Sequence, residues 1–91
     1  MIKMVKTGSS FIVSIGYDIT RKMMFVEFKS GSIFAYKGIP KAIHNGLIAA
    51  SSKGNFFNNN VRNVYKGVRL SPSDKSKFVK VSQAQAGKII N

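Results

Sequence analysis

The hydrophobic period of this chain changes at Gly38-Ile39-Pro40, and that change limits the fold more than any single residue does. Before it, apolar residues come in short β-branched and aromatic runs separated by tight turns. Phe11 to Tyr17 is one such run, and Met23 to Lys29 is a second, with Met24, Val26 and Phe28 on one face and Glu27 and Lys29 on the other. Ile33 to Lys37 is the third. Asp18 to Lys22 and Ser30-Gly31 supply the turns, Asp18 by bonding backbone two residues ahead. After Pro40 the spacing lengthens to that of a helix. Ile43, Leu47 and Ile48 predict a helix over 40–50, in which Gly46 costs about 1 kcal/mol. Asn45-Gly46 is a rival hairpin signal, but its flanks do not alternate. A second short helix is expected over 52–63, capped by Ser51 or Ser52, with Phe57, Val61 and Val64 or Tyr65 as its apolar stripe. Gly54 and the Asn58-Asn59-Asn60 run weaken it.

Beyond Tyr65, Val68-Arg69-Leu70 and Phe78 to Val81 read as short strands around a Ser71-Pro72-Ser73-Asp74 turn, and 82–91 as a frayed end. The expected architecture is α+β: a three-stranded antiparallel meander, then two short helices packing on the sheet, with a C-terminal extension able to add a strand. The corresponding segments are an N-terminal piece (1–8), the α+β domain (9–65) and a basic extension (66–91).

Composition narrows the chemistry. Fifteen Lys and Arg face three Asp and Glu, a formal net charge of +12 on 91 residues. That length holds one core and no dinucleotide-binding fold. The absence of cysteine removes disulfides, thiolate metal sites and cysteine nucleophiles. One histidine, His44, and the carboxylates Asp18, Glu27 and Asp74 offer no metal-ligand spacing and no ordered catalytic triad, so neither enzymatic activity nor a cofactor is expected. His44 reads as a surface or interface residue. No apolar stretch reaches signal-peptide or membrane-spanning length, and Met1 reads as the start of a whole gene product. A soluble, cytoplasmic protein without membrane contact is the expectation.

The runs Ser14-Ile15-Gly16-Tyr17-Asp18 and Met24-x-Val26-x-Phe28-x-Ser30-Gly31, with Phe34 and Tyr36 one residue apart, resemble the KTSC domain. Gly38-Ile39-Pro40 stands where that family has Val-Pro, and Ser52-Lys53-Gly54-x-Phe56-Phe57-Asn58, followed by Val61 and Tyr65, is similar to its Ser-x-Gly-x-(Tyr/Phe)-Phe-Asn segment. The resemblance covers about 9–65. The family takes its name from the C-terminus of some lysyl-tRNA synthetases and also occurs as stand-alone bacterial or phage proteins; the synthetase context implies RNA binding. Phe34 replaces the first tyrosine of the family's Tyr-x-Tyr, which removes any role for that hydroxyl, and the chain from Lys66 onward lies outside the match.

Between Glu27 and Asp74 there is no acidic residue, while Lys29, Lys37, Lys41, Lys53, Arg62, Lys66 and Arg69 all fall there. Such a field attracts polyanions, although lysines also serve simply to keep a small protein solvated. Tyr36 and Phe34 share a strand face: exposed, they would form a base-stacking platform flanked by Lys37, and inward-facing they would be core. Phe56 is expected to be more exposed than Phe57. Asn58 would either bond bases or phosphates near Lys53 and Arg62, or satisfy nearby backbone. The resulting expectation is a small nucleic-acid-binding module for RNA or single strands. Lys37, Lys53, Arg62 and Lys66 track phosphates, Tyr36 and Phe56 stack, and Asn58 bonds locally. The alternative is a phage- or bacterium-encoded factor that modulates a host protein through an acidic patch, acting in the host cytoplasm if phage-encoded. A sheet edge left exposed could also pair two copies as a homodimer.

Overall fold

The computed structural model describes residues 2–70 and 78–81. The turn read at Ser71–Asp74 and the end read as frayed over 82–91 lie outside the described residues. Strands β1 (Ile2–Lys6), β2 (Ile12–Asp18), β3 (Met23–Phe28) and β4 (Ile33–Lys37) are followed by helices α1 (Lys41–Ala49) and α2 (Lys53–Phe57). Helix α2 runs on into a π-helical turn, Asn58–Arg62, closed by the Asn63 amide donating to the Asn58 carbonyl at 3.3 Å. Strands β5 (Gly67–Arg69) and β6 (Phe78–Val81) follow.

The fold is α+β, and the sheet is larger than a three-stranded meander. Its strand order is β5-β4-β3-β2-β1-β6. Every neighbouring pair from β5 to β1 is antiparallel, and β6 lies parallel to β1 with Ile2 opposite Phe78. The expected meander is therefore the centre of the sheet. Strand β1 falls in the segment 1–8, for which no structure was expected. Ile2-Lys3-Met4-Val5-Lys6 carries only a faint alternation, and its strand state is set by pairing Val5 with Ile15, a partner distant in sequence.

The helices cover one face of this sheet. Ile12, Ile15, Met24, Val26 and Tyr36 pack there against Ile39, Leu47, Phe57 and Val61. A register shift between Ile12 and Ser14 lets two isoleucines three residues apart reach the same face, which strict alternation forbids. Phe57 is the hub, edge-on to Phe28 at 5.3 Å and to Tyr36 at 5.5 Å. Burying a side chain of that size contributes about 1.5–3 kcal/mol. A second cluster, Met4, Phe25, Ile33 and Ala35, lies on the opposite face, where Ser14 donates to the buried Glu27 carboxylate at 2.8 Å.

Sheet and helices are tied at Gly38-Ile39-Pro40. The Tyr17 hydroxyl donates to the Ile39 carbonyl at 2.6 Å, and His44 on α1 stacks on the Tyr17 ring at 4.8 Å. His44 is thus half-buried between helix and sheet rather than a surface residue. The glycine inside α1 has a packing reason: a Cβ on Gly46 would sit 2.6 Å from the Phe56 ring.

Candidate functional site

Residues 7–11, which lead into β2, are held by their own side chains. The Ser9 amide donates to the Thr7 hydroxyl at 3.1 Å, and the amides of Phe11 and Ile12 donate to the Ser9 hydroxyl at 3.2 and 3.3 Å. The Thr7 hydroxyl donates to the Ile12 carbonyl, and its amide donates to Val13 at 3.1 Å. Gly8, at φ +78°, makes the sharp turn this needs. The carbonyl of Phe11 then accepts from the Lys29 amide at 3.1 Å, so the loop is pinned at both ends.

Opposite this loop stands the start of α2. Between them opens a cleft of about 560 Å3, lined by Thr7 to Phe11 on one side and by Ser51, Ser52, Lys53, Gly54, Asn55 and Asn58 on the other. Its walls are mostly hydroxyls and amides. The Lys53 ammonium is steadied by donating to the Ala50 carbonyl at 3.1 Å. Asn58 donates its backbone amide to the Asn55 and Gly54 carbonyls, whereas its side-chain Oδ1 is buried with no hydrogen-bond partner among the described residues. Phe11 is 41% exposed. Its ring rests on Phe28 at 5.4 Å and lies 3.5 Å from where a Cβ of Gly54 would stand.

Of the residues singled out from sequence, Lys53 and Asn58 are brought together in this cleft. Lys37, Arg62 and Lys66 are exposed elsewhere on the surface. Lys37 and Lys66 share one end of the β4–β5 ladder, next to the paired Tyr36 and Gly67. Two assignments need correction. Tyr36 is only 5% exposed, facing the helices beside Phe57, so it is a core ring and no stacking platform. Gly67 lets it in, since a Cβ there would meet the ring at 2.6 Å. Burial raises the pKa of the Tyr36 hydroxyl, with the nearby Arg62 charge opposing. Phe34, on the same face, also packs against the core. Phe56 is less buried than Phe57, as its spacing predicts, but its ring is spent on Gly46. Asn58 is the C-cap of α2, whose N-cap is Ser52, and it caps through its backbone amide rather than its side chain. Phe11 went unselected in the sequence because it looks like the first residue of a strand; the Gly-Ser-Ser turn before it was the available signal. Among the described residues no group of three His, Cys, Asp or Glu could hold a metal ion.

The model of the KTSC domain matches residues 8–65. The chain belongs to the KTSC family. The family segment includes the cleft from Gly8 to Asn58, apart from Thr7, and leaves β1, β5 and β6 outside it. A protein of Stutzerimonas stutzeri is 37% identical over 57 residues, which is 63% of this chain and 80% of that one. The lysine–tRNA ligase of Nostoc sp. PCC 7120 is 34% identical over 68 residues; that is 75% of this KTSC chain but only 12% of the ligase. The crystal structure of a KTSC domain protein from Yersinia pestis superposes with a TM-score of 0.75 at 28% identity, covering 78% of this chain and all of that one. Among the described residues no helix is long and apolar enough to cross a membrane.

Proposed function

We propose that this KTSC protein is a binding module for nucleic acid, RNA or another single strand, and that it grips phosphates with its lysines and arginines. The observation that supports this best is where the charges lie. Lys3, Lys6, Lys22, Lys29, Lys37, Lys41, Arg62, Lys66 and Arg69 are all exposed. Of the acids among the described residues, Glu27 is buried and Asp18 is engaged in its own turn, accepting from the amides of Thr20 and Arg21 at 3.1 and 3.2 Å. Arg21 lies 3.8 Å from the same carboxylate. Over the described residues, a polyanion therefore meets positive groups that stand outward and negative ones that are withdrawn, the arrangement that releases condensed counterions on binding. The similar segment of a lysine–tRNA ligase, whose name pairs it with an RNA, supports the same reading.

Fluorescence anisotropy against single-stranded RNA, single-stranded DNA and duplex DNA tests it. Affinity is expected to favour a single strand and to fall log-linearly with salt, with a slope of about 0.7 per phosphate contacted. Replacing Lys53 and Arg62 together with Glu is expected to abolish binding while circular dichroism stays unchanged. Weak binding to all three polymers that vanishes at about 200 mM salt would reduce the charge to a solvating role, and a pull-down that resists nuclease would point instead to an acidic protein partner.

A further inference from the structure

We infer that the cleft between the Thr7–Phe11 loop and α2 holds one unpaired nucleotide, its base lying on Phe11, its edge against Asn58 and its phosphate at Lys53. This rests on the nucleic-acid reading and gives that reading a place on the molecule.

Phe11 is a large ring left 41% exposed beside a polar cleft, and it is held still. Phe28 supports it from the sheet, α2 approaches it at Gly54, and the Thr7 and Ser9 hydroxyls staple the backbone that carries it. A rigid, half-exposed ring is a stacking surface already ordered before a base arrives, so little further entropy is lost on contact. The core rings Tyr36 and Phe57 lack that exposure.

Asn58 supplies the second requirement. Its Oδ1 is a buried acceptor with no partner among the described residues, on a residue that lines the same cleft, and buried acceptors are normally satisfied. Turned toward the cleft, it would be satisfied by a ligand that brings an N–H donor, and the side-chain amide nitrogen can donate in return. Nucleobase edges offer that donor–acceptor pairing, and asparagine's match to adenine is the best example. Lys53 adds a cation at the same wall, and the serine hydroxyls suit a ribose and its phosphate. At about 560 Å3 the cleft is within the size range of small-ligand sites.

The test measures binding of the full chain to a short fluorescent oligoadenylate RNA across a salt series, for the unaltered protein, Phe11→Ser, Phe11→Tyr, Asn58→Asp, Lys53→Gln and, to gauge a phosphate-gripping cation outside the cleft, Lys3→Gln. Phe11→Ser and Asn58→Asp are each expected to weaken binding about 5- to 100-fold, and Phe11→Ser to do so at every salt concentration, because stacking is not ionic. Phe11→Tyr keeps the ring and should restore affinity, which separates stacking from any damage to the fold. Lys53→Gln is expected to lower the salt slope by about 0.7. Folded cleft variants that bind like the unaltered protein, while lysines elsewhere set the affinity, would overturn the cleft and leave nucleic-acid binding standing. An unaltered protein that binds neither this RNA nor the other polymers of the anisotropy series would overturn both readings, and one that binds those but not this RNA would overturn the cleft alone.

Discussion

Two glycines in the helical layer have opposite reasons for being there. In α1, a methyl group on Gly46 would press to 2.6 Å from the Phe56 ring, which packs against the core. Gly46→Ala gains about 1 kcal/mol of helix propensity, yet overpacking of this kind costs about 1–3 kcal/mol. A lowered melting temperature is expected. In α2, a Cβ on Gly54 would meet Phe11 at an ordinary 3.5 Å, so Gly54→Ala is expected to raise the melting temperature, by about 0.5 kcal/mol in stability. Equal shifts for the two variants would show that propensity alone governs both. His44 gives a pH-dependent counterpart. Burial between α1 and Tyr17, then the charge of Lys41, hold its pKa below the ordinary 6.5. The unfolded chain therefore takes up a proton first as the solution is acidified. Stability from this site is complete above pH 6.5 and is lost as pH falls below that value. Urea melts at neutral and mildly acidic pH should show the decline, and His44→Phe, which keeps a ring against Tyr17, should reduce it.

At the scale of elements, the junction of α2 with its π-helical turn locks the helical layer to the sheet, because it delivers Phe57 and Val61 together into the core. Phe57→Ala is expected to cost about 3–5 kcal/mol. A chain this small has little more than that in total, so chemical denaturation should find the variant largely unfolded at room temperature. A cooperative melt close to that of the unaltered protein would remove Phe57 from the centre of the core. This element also shows what a sequence discloses. The Phe57–Val61 spacing was legible as a buried stripe, and the three central strands were legible from their alternation. The π-helical hydrogen bond was not legible, because the Asn58-Asn59-Asn60 run says only that regular helix is weak there. Strand β1 escaped because its partner is distant in sequence, and the direction of the Tyr36 face because an aromatic alternation reads the same whether helices lie over it or water does. Half of the cleft was visible in Lys53 and Asn58. The other half, Phe11 on its stapled loop, depends on a juxtaposition of residues more than forty positions from α2, which only the folded sheet creates.

For the whole molecule the controlling quantity is a net charge of +12 on 91 residues, with Glu27 buried and Asp18 engaged in its turn. Like charges crowded onto a small surface repel one another, and folding brings them closer than they are in the unfolded chain. Salt screens that repulsion over about 10 Å at 0.1 M. The melting temperature is therefore expected to rise as sodium chloride is increased from about 10 to 200 mM, the reverse of what a fold held by surface ion pairs would show. A polyanion should do more than screen. By binding the native surface in preference to the unfolded chain, it should raise the midpoint further at equal ionic strength, by an amount that grows with its concentration. Thermal melts in sodium chloride alone, then with single-stranded RNA added at constant ionic strength, distinguish the two effects. A midpoint that falls or stays flat with salt would mean the positive groups are already compensated within the fold. A rise with salt but none with RNA would leave the charge as a property of the protein's own solvation, with no polyanion bound.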